Sequence, residues 1–279
     1  MEKLKSYLKK LFQIVSMHEM RILPGNLAFF LVLSVMPLIT LVGVICSTLP
    51  VSVVDISNML NDFLPKGIIS VLEPFFTASG DTSHMIILLI IGFVVASNGA
   101  HAIILASNTL YKTEGRNYVV RRIKAFFLTI ILMLMFVFAL VVLAFGNIIL
   151  KFILSLEVFS YISFDIYSLF ILLKWPTAFI VMFCLIKAMY TMAPDKKVSS
   201  MNVNKGALFT TAGWLLVTAI YAFYANNIAN YNRFYGGLSN IAILMIWIYL
   251  ISYVFVLGIA INTSYYGLEG EKESIKKSD

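Results

Sequence analysis

The sequence predicts an all-α integral membrane protein built as a bundle of six transmembrane helices. Hydrophobic residues make up 60% of the 279 residues and charged residues only 13%, whereas roughly a quarter of a soluble domain is charged. The apolar residues also gather in six runs, each close to the roughly 20 residues that a helix needs to cross a bilayer. The net charge of +7 comes mainly from basic residues at the ends of these runs, so membrane topology explains it better than nucleic-acid binding.

The segments outside the spans are amphipathic or charged. Residues 1–25 set leucines against lysines at helical spacing and predict a basic amphipathic helix in the membrane interface, with a core-packing helix or a tail as the alternative. Residues 50–84 repeat apolar residues at helical spacing and predict short amphipathic helices outside the membrane. The charged segment 264–279 predicts a solvated, mobile tail. The spans of the membrane domain 26–263 are predicted at 26–49, 85–107, 125–150, 167–192, 206–225 and 238–263.

Lysine and arginine are distributed unequally between the two sides of the predicted membrane. The N-terminal segment, the loops 108–124 and 193–205 and the tail together carry 16 of them, while the connections on the opposite side carry three. Because basic loops stay inside the cell, and because six spans bring both ends to one side, the sequence predicts that both termini are cytoplasmic. The predicted cytoplasmic basic loop after the second span includes Arg116, Arg121, Arg122 and Lys124.

The second span makes different demands on its two sides. On a helical projection, four small residues fall on one side and three polar residues fall on the other. The small residues allow a neighbouring helix to approach closely, and the polar residues need partners that lipid does not supply. This pattern predicts a helix inside the bundle. The small residues are Gly92, Ala96, Gly99 and Ala100, and the polar residues are Ser97, His101 and Asn108.

Lys174 lies within the fourth apolar run and has two interpretations. If the helix starts near Tyr167, the ammonium group is about two turns deep and needs a partner, water, an anion or a lipid headgroup. If Trp175 and Pro176 instead begin the helix, with proline at its first position, Lys174 extends to the outer membrane surface. The sequence leaves both interpretations open.

The remaining polar residues in the spans also have a functional and a structural interpretation. His101 could transfer protons or sense pH, or it could be a neutral side chain that is hydrogen-bonded to a neighbouring helix. Asn98 and Asn108 could line a cavity or form interhelical hydrogen bonds. The same alternatives hold for Asn240 and Asn262, which share one face of the sixth span.

The sequence contains no recognisable enzyme motif. We find no cluster of His, Cys and carboxylates at metal-ligand spacing, no Gly-rich phosphate loop and no nucleophile motif. No carboxylate lies inside a predicted span, so the usual coupling acid of proton- or sodium-driven transporters is missing. The sequence therefore predicts a protein that is not an enzyme and that holds no cofactor or metal.

Four groups of residues, in order along the chain, carry a family resemblance. They are Asn26-Leu-Ala-Phe-Phe with Ser34-Val-Met-Pro37; Asn108, Tyr111, Glu114 and Arg116; Lys174-Trp175-Pro176 with Tyr190 and Pro194; and Tyr235-Gly236, Trp247-Ile-Tyr249, Leu257-Gly258 and Asn262. Their order and spacing resemble the YihY/BrkB family of bacterial inner-membrane proteins, over nearly the whole chain.

The resemblance implies a plasma-membrane protein with six helices and an unsettled activity. The family once carried a ribonuclease name, which no residue pattern here supports. One branch has been linked to serum resistance and another to the export of lipids or envelope precursors. The last helix of the family often reads Leu-Gly-Ala-Glu, whereas this chain has Ala260 at the acidic position. A mechanism that uses that carboxylate is therefore in doubt for this chain.

Together these observations predict a transporter or flippase-like exporter of an amphiphilic envelope component, with an anionic lipid as one option. Its partners would be membrane lipids rather than nucleic acid, and assembly into a homo-oligomer stays open. The alternative is a non-transporting membrane scaffold or assembly factor, because small-residue faces also favour helix association. The predicted substrate path consists of Lys174, His101, Asn98, Asn108, Asn240 and Asn262.

Overall fold

The computed structural model describes residues 13, 15–47, 82–138, 163–227 and 235–276. For the segments 35–47, 82–89, 163–175 and 265–276, and for residues 136, 137 and 237, the description covers the backbone alone. All regular structure in these ranges is helical, which confirms the predicted all-α fold. The helices are α1 (Glu19–Ser47), α2 (Thr82–Leu110), α3 (Tyr118–Phe138), α4 (Ser163–Met192), α5 (Asn204–Asn227) and α6 (Ser239–Lys276), with a 3₁₀ turn, Gly236–Leu238, before α6.

Three helical segments in the described ranges are long and apolar enough to cross a membrane. They are Ile90–Leu110 in α2, Asn204–Asn227 in α5 and Ser239–Ser264 in α6, and a shorter apolar segment, Pro176–Met192, lies in α4. These segments agree with an all-α membrane protein. The exact number of spans and the cytoplasmic position of the termini stay predictions.

Several helix ends differ from the predicted ones. Helix α1 begins at Glu19, inside the segment predicted to lie in the interface, and α6 continues to Lys276, through most of the predicted solvated tail. The tail contains glutamate and lysine, which are good helix formers, so the helix of the last span is extended rather than ended there. The predicted helices in 50–81 and the predicted third-span residues 139–150 lie outside the described residues, as do residues 1–12.

Pro176 does not mark the start of the fourth helix, as one interpretation of the sequence has it. Helix α4 begins at Ser163 and carries Pro176 in its interior. A proline inside a helix removes one backbone hydrogen bond, but membrane helices tolerate it when neighbouring groups satisfy the freed carbonyl. Lys174 therefore belongs to the helix, while its side chain lies outside the described residues.

The six helices form a ring of neighbours. Helix α1 packs against α2 and α6, α2 packs against α3, and α4 packs against α5, which in turn packs against α6. Helix α3 also contacts α4 and so completes the ring. The interior is filled by apolar side chains from all six helices, including Leu27, Ile103, Ile104, Leu128, Ile186, Met189, Ala207, Phe255 and Ile259.

Gly99 lets α1 and α2 approach closely, as the small residues of the second span predict. The Gly99 backbone N–H donates to the Ser34 hydroxyl oxygen at 3.0 Å, and that hydroxyl donates to the Phe30 carbonyl at 2.7 Å. A Cβ atom at Gly99 would lie 2.9 Å from the Ser34 oxygen, closer than packed side chains allow. The contact between Ser34 and Gly99 therefore depends on the absence of a side chain at position 99.

Hydrogen bonds join α4, α5 and α6 into one unit. The Tyr190 hydroxyl donates to the Phe255 carbonyl at 2.7 Å and lies 2.6 Å from the Thr210 hydroxyl. The Gly206 backbone N–H, in the first turn of α5, donates to the Asn262 side-chain oxygen at 2.8 Å. N–H groups in a first turn lack partners within their own helix, so Asn262 on α6 caps the start of α5.

Candidate functional site

The loop after α4 brings Asp195 into contact with α2 and α3. One oxygen of its carboxylate accepts from the Asn108 side chain at 2.7 Å and from the Arg116 backbone N–H at 3.1 Å. The other oxygen accepts from the Lys124 ammonium group at 2.8 Å. The Asp195 backbone N–H in turn donates to the Asn108 side-chain oxygen at 2.8 Å. We call the end of the bundle that holds Asn108, Lys124 and Asp195 the basic end.

The Asp195 carboxylate is held in its charged form. Its side chain is 1% exposed and that of Lys124 is 21% exposed. Burial raises the pKa of the Asp195 carboxyl, but the hydrogen bonds from Lys124, from the Arg116 backbone and from Asn108 outweigh burial, so that the pKa lies below its ordinary value. Lys124 also donates to the Pro194 carbonyl at 2.8 Å. The pair therefore ties the start of α3 to the α4–α5 loop.

The lowered pKa of Asp195 predicts how the stability of the protein depends on pH. Because the folded-state pKa is lower than the unfolded one, the carboxylate contributes its full stabilisation above pH about 4 and loses it as the pH falls through the lower folded-state value. We expect the midpoint of thermal unfolding in detergent to show this acid-side loss in the wild type. Asp195→Asn should lack that component, and an identical acid profile in both proteins would contradict the prediction.

Asp195 is not among the residues that the sequence singles out. It lies outside the apolar runs, where an acidic residue looks like part of a solvated loop. A usable signal is nevertheless present, because Asp195 is the only carboxylate in the otherwise basic loop 193–205. One acidic side chain among several lysines predicts an ion pair, although not the partner that it finds on α3.

Arg122 of α3 reaches across to the backbone and side chains of α2. Its guanidinium donates to the Asn98 side-chain oxygen at 2.8 Å and to the Val94 carbonyl at 2.9 Å. The guanidinium carbon also lies 5.5 Å from the centre of the Phe126 ring, close enough for a cation–π contact. These partners are neutral, and no carboxylate pairs with Arg122 in the described ranges. Two of its five N–H donors are thus accounted for.

Two further polar atoms at this helix contact lack a partner among the residues that the structure describes. They are Nε2 of His101 and Nε of Arg121, both of which are buried. The His101 ring lies edge-on to Tyr118, with ring centres 6.0 Å apart. His101 is three positions from Asn98 on α2, and Arg121 is three positions from Tyr118 on α3, so each pair shares a helix face. Among the described residues, the imidazole Nε2 therefore has no hydrogen-bond partner on a neighbouring helix.

The structure brings together some of the predicted path residues and separates others. Asn98 and His101 lie at the α2–α3 contact, and Asn108 lies farther along α2, against Asp195. Asn262 caps α5. Asn240 lies in the first turn of α6, about 33 Å along the helix from Asn262, and thus at the opposite end of the bundle.

The first residue of α3 lies beside the C-terminal half of α2. Tyr118 contacts His101, which is nine residues, or about 14 Å, before the end of α2. From Ala125 to Phe138, α3 carries no charged residue. Arg121 and Arg122 therefore lie where the apolar part of α3 begins, which is where a membrane–water boundary is expected. The final turns of α2 extend beyond this level.

The chain thus has the fold of a multi-pass, all-α membrane protein whose helix contacts hold a basic cluster at one end. The family described as Virulence factor BrkB matches residues 11–279. The chain belongs to this family, as its motifs predict. No solved structure matches the chain.

Two relatives are named as membrane proteins and a third as a ribonuclease-like protein. A ribonuclease-like protein, YfkH of Bacillus subtilis, is 30% identical over 261 residues, which cover 92% of this chain and 94% of that protein. A UPF0761 membrane protein of Actinobacillus pleuropneumoniae is 22% identical over 249 residues, covering 88% and 87% of the two chains. A UPF0761 membrane protein of Vibrio cholerae is 30% identical over 108 residues, covering 39% and 34%.

Proposed function

We propose that the protein transports an amphiphilic, anionic component of the cell envelope across the membrane, in the manner of a flippase. The observation that carries this proposal is the position of Arg122. Its guanidinium lies on Val94 and Asn98, within the apolar segment Ile90–Leu110. Arg122 lies at the level where α3 becomes apolar, and a positive charge at a membrane–water boundary attracts anionic lipid headgroups.

The surroundings of Arg122 support an anionic substrate. Its described partners, Asn98, the Val94 carbonyl and the Phe126 ring, are all neutral. Lys174 in α4 is a second cation that the proposed path would use. Pairing of the anionic headgroup with arginine would lower the free-energy cost of moving the headgroup past apolar helices. A charge that is removed from water costs less when it has an oppositely charged partner.

A non-transporting scaffold or assembly factor is the second candidate function. The observation that favours it is the hydrogen-bonded packing of α4, α5 and α6 around Tyr190, Thr210 and Gly206. A rigid unit of this kind is suited to holding a partner in place. The two candidates differ in what the purified protein does alone, because only a transporter moves lipid in a vesicle that contains no other protein.

A reconstitution experiment tests the proposal. The full chain is placed in liposomes, and the movement of fluorescent phosphatidylglycerol between leaflets is followed by chemical quenching, with phosphatidylcholine as the uncharged comparison. We expect the wild type to accelerate movement of the anionic lipid. Arg122→Gln removes charge-assisted hydrogen bonds worth about 1.5–3 kcal/mol and should slow movement about tenfold or more.

Lys197→Gln is the matched control, since it removes one positive charge from an exposed loop at the basic end of the bundle. It should leave the rate unchanged. If folded wild-type protein moves neither lipid faster than protein-free vesicles do, the transport proposal is wrong and the scaffold function is retained. A loss of transport in Lys174→Ala would add Lys174 to the path.

A further inference from the structure

Exposed apolar side chains continue from Arg122 along both helices toward the apolar part of the bundle. Large hydrophobic residues on these surfaces would contact lipid chains in a membrane. Beside them, the Phe93 and Phe126 rings stack with centres 5.7 Å apart and join α2 to α3. The exposed residues are Ile90, Ile91 and Val94 on α2 and Phe127, Ile130 and Leu134 on α3.

The N–H donors of Arg122, where this apolar strip begins, suit a phosphate group. Arg122 has three N–H donors beyond the two that bind Asn98 and Val94. Arg121, the preceding residue of α3, adds a second positive charge at the start of the helix. Guanidinium groups bind phosphate oxygens through paired, charge-assisted hydrogen bonds, and adjacent positive charge strengthens such binding.

We infer that the α2–α3 edge is a binding site for an anionic phospholipid. Arg122 holds the phosphate, and an acyl chain lies along Val94 and the other exposed apolar residues. The level of Arg122, at the point where α3 becomes apolar, matches the depth of a lipid phosphate. The continuous apolar strip below it favours a lipid over free phosphate. The inference rests on the proposed function only in naming the bound lipid as the transported class.

Lipid binding to the intact protein tests the site directly. The full chain in neutral detergent is titrated with phosphatidylglycerol or phosphatidylcholine, and the bound lipid is counted by native mass spectrometry. We expect preference for phosphatidylglycerol and a loss of about tenfold or more in its affinity for Arg122→Gln. Arg122→Lys keeps the charge without the paired geometry and should give an intermediate affinity. Lys197→Gln should bind as the wild type does.

The apolar strip has its own matched pair of variants. Ile130→Gln should weaken lipid binding, whereas Ile220→Gln, at an exposed apolar position on α5, should not. Inorganic phosphate is the second probe. If millimolar phosphate displaces the lipid and Ile130→Gln has no effect, the site recognises free phosphate and the lipid assignment is overturned. Equal binding of both lipids by the wild type and Arg122→Gln would overturn the site itself.

Binding and transport can fail separately. If Arg122→Gln loses phosphatidylglycerol binding while the wild type moves no lipid between leaflets, the site stands and the proposed transport function is wrong. If Arg122→Gln binds and transports as the wild type does, the site is wrong even though transport stands. Elution and thermal unfolding of each variant show whether it is folded, and Arg122→Lys keeps the test decisive if Arg122→Gln is not.

Discussion

Asp195→Ala is expected to lower the free energy of unfolding by about 3 kcal/mol, the low end of the range for removing one partner of a buried ion pair. The low end applies because Lys124 is 21% exposed and water compensates part of its charge. The substitution also leaves the Arg116 backbone N–H and the Asn108 side chain without their acceptor. Thermal and chemical unfolding in mild detergent measure the change.

The double variant Asp195→Ala with Lys124→Ala distinguishes the ion pair from the loop packing. Because it removes both charges, it should be more stable than Asp195→Ala alone if an unpaired ammonium group causes the loss. Lys197→Ala, which removes an exposed lysine two positions along the chain, should change stability by no more than about 0.5 kcal/mol. An unfolding midpoint of Asp195→Ala equal to that of the wild type would refute the role of Asp195 in joining α2, α3 and the α4–α5 loop.

Gly258→Ala is expected to be strongly destabilising although it adds only one methyl group. A Cβ atom at Gly258 would collide with the Thr210 and Tyr190 hydroxyls and would lie 3.0 Å from the Gly206 carbonyl oxygen. The helices must then separate or give up the hydrogen bond between Tyr190 and Thr210. Overpacking of this kind costs about 1–3 kcal/mol, and contact with backbone places this case at the upper end. The expected readouts are a lower melting temperature and less monodisperse protein after extraction.

Gly25→Ala is the matched control for that substitution. Gly25 also lies in a helix, but a Cβ atom there would meet nothing within 4 Å. Alanine is a better helix former than glycine, so the control should be neutral or stabilising by up to about 1 kcal/mol. If Gly258→Ala behaves like Gly25→Ala, the close approach of α5 and α6 is not what holds this part of the bundle together.

The fold class and the polar residues of the second span are predictable because both depend on local patterns. Apolar runs of membrane length and the excess of apolar over charged residues identify an all-α membrane protein without knowledge of any contact. Spacing along one helix likewise identifies Gly99 as a position where a neighbouring helix approaches closely, and Asn108 as a side chain that needs a polar partner. Helix ends are less predictable, as Pro176 shows, because the same residue suits a helix start in water and a helix interior in a membrane.

The composition and periodicity of the chain establish that lipid surrounds most of it, that its helices need polar partners inside the bundle and that its basic residues gather between particular spans. The folded arrangement establishes which groups meet. Asp195 binds Asn108, 87 positions away, and Arg122 binds Asn98 rather than a carboxylate. The physical reason is that helix formation depends on neighbours within a few residues, whereas these pairs depend on the relative height and rotation of packed helices, which the whole bundle sets.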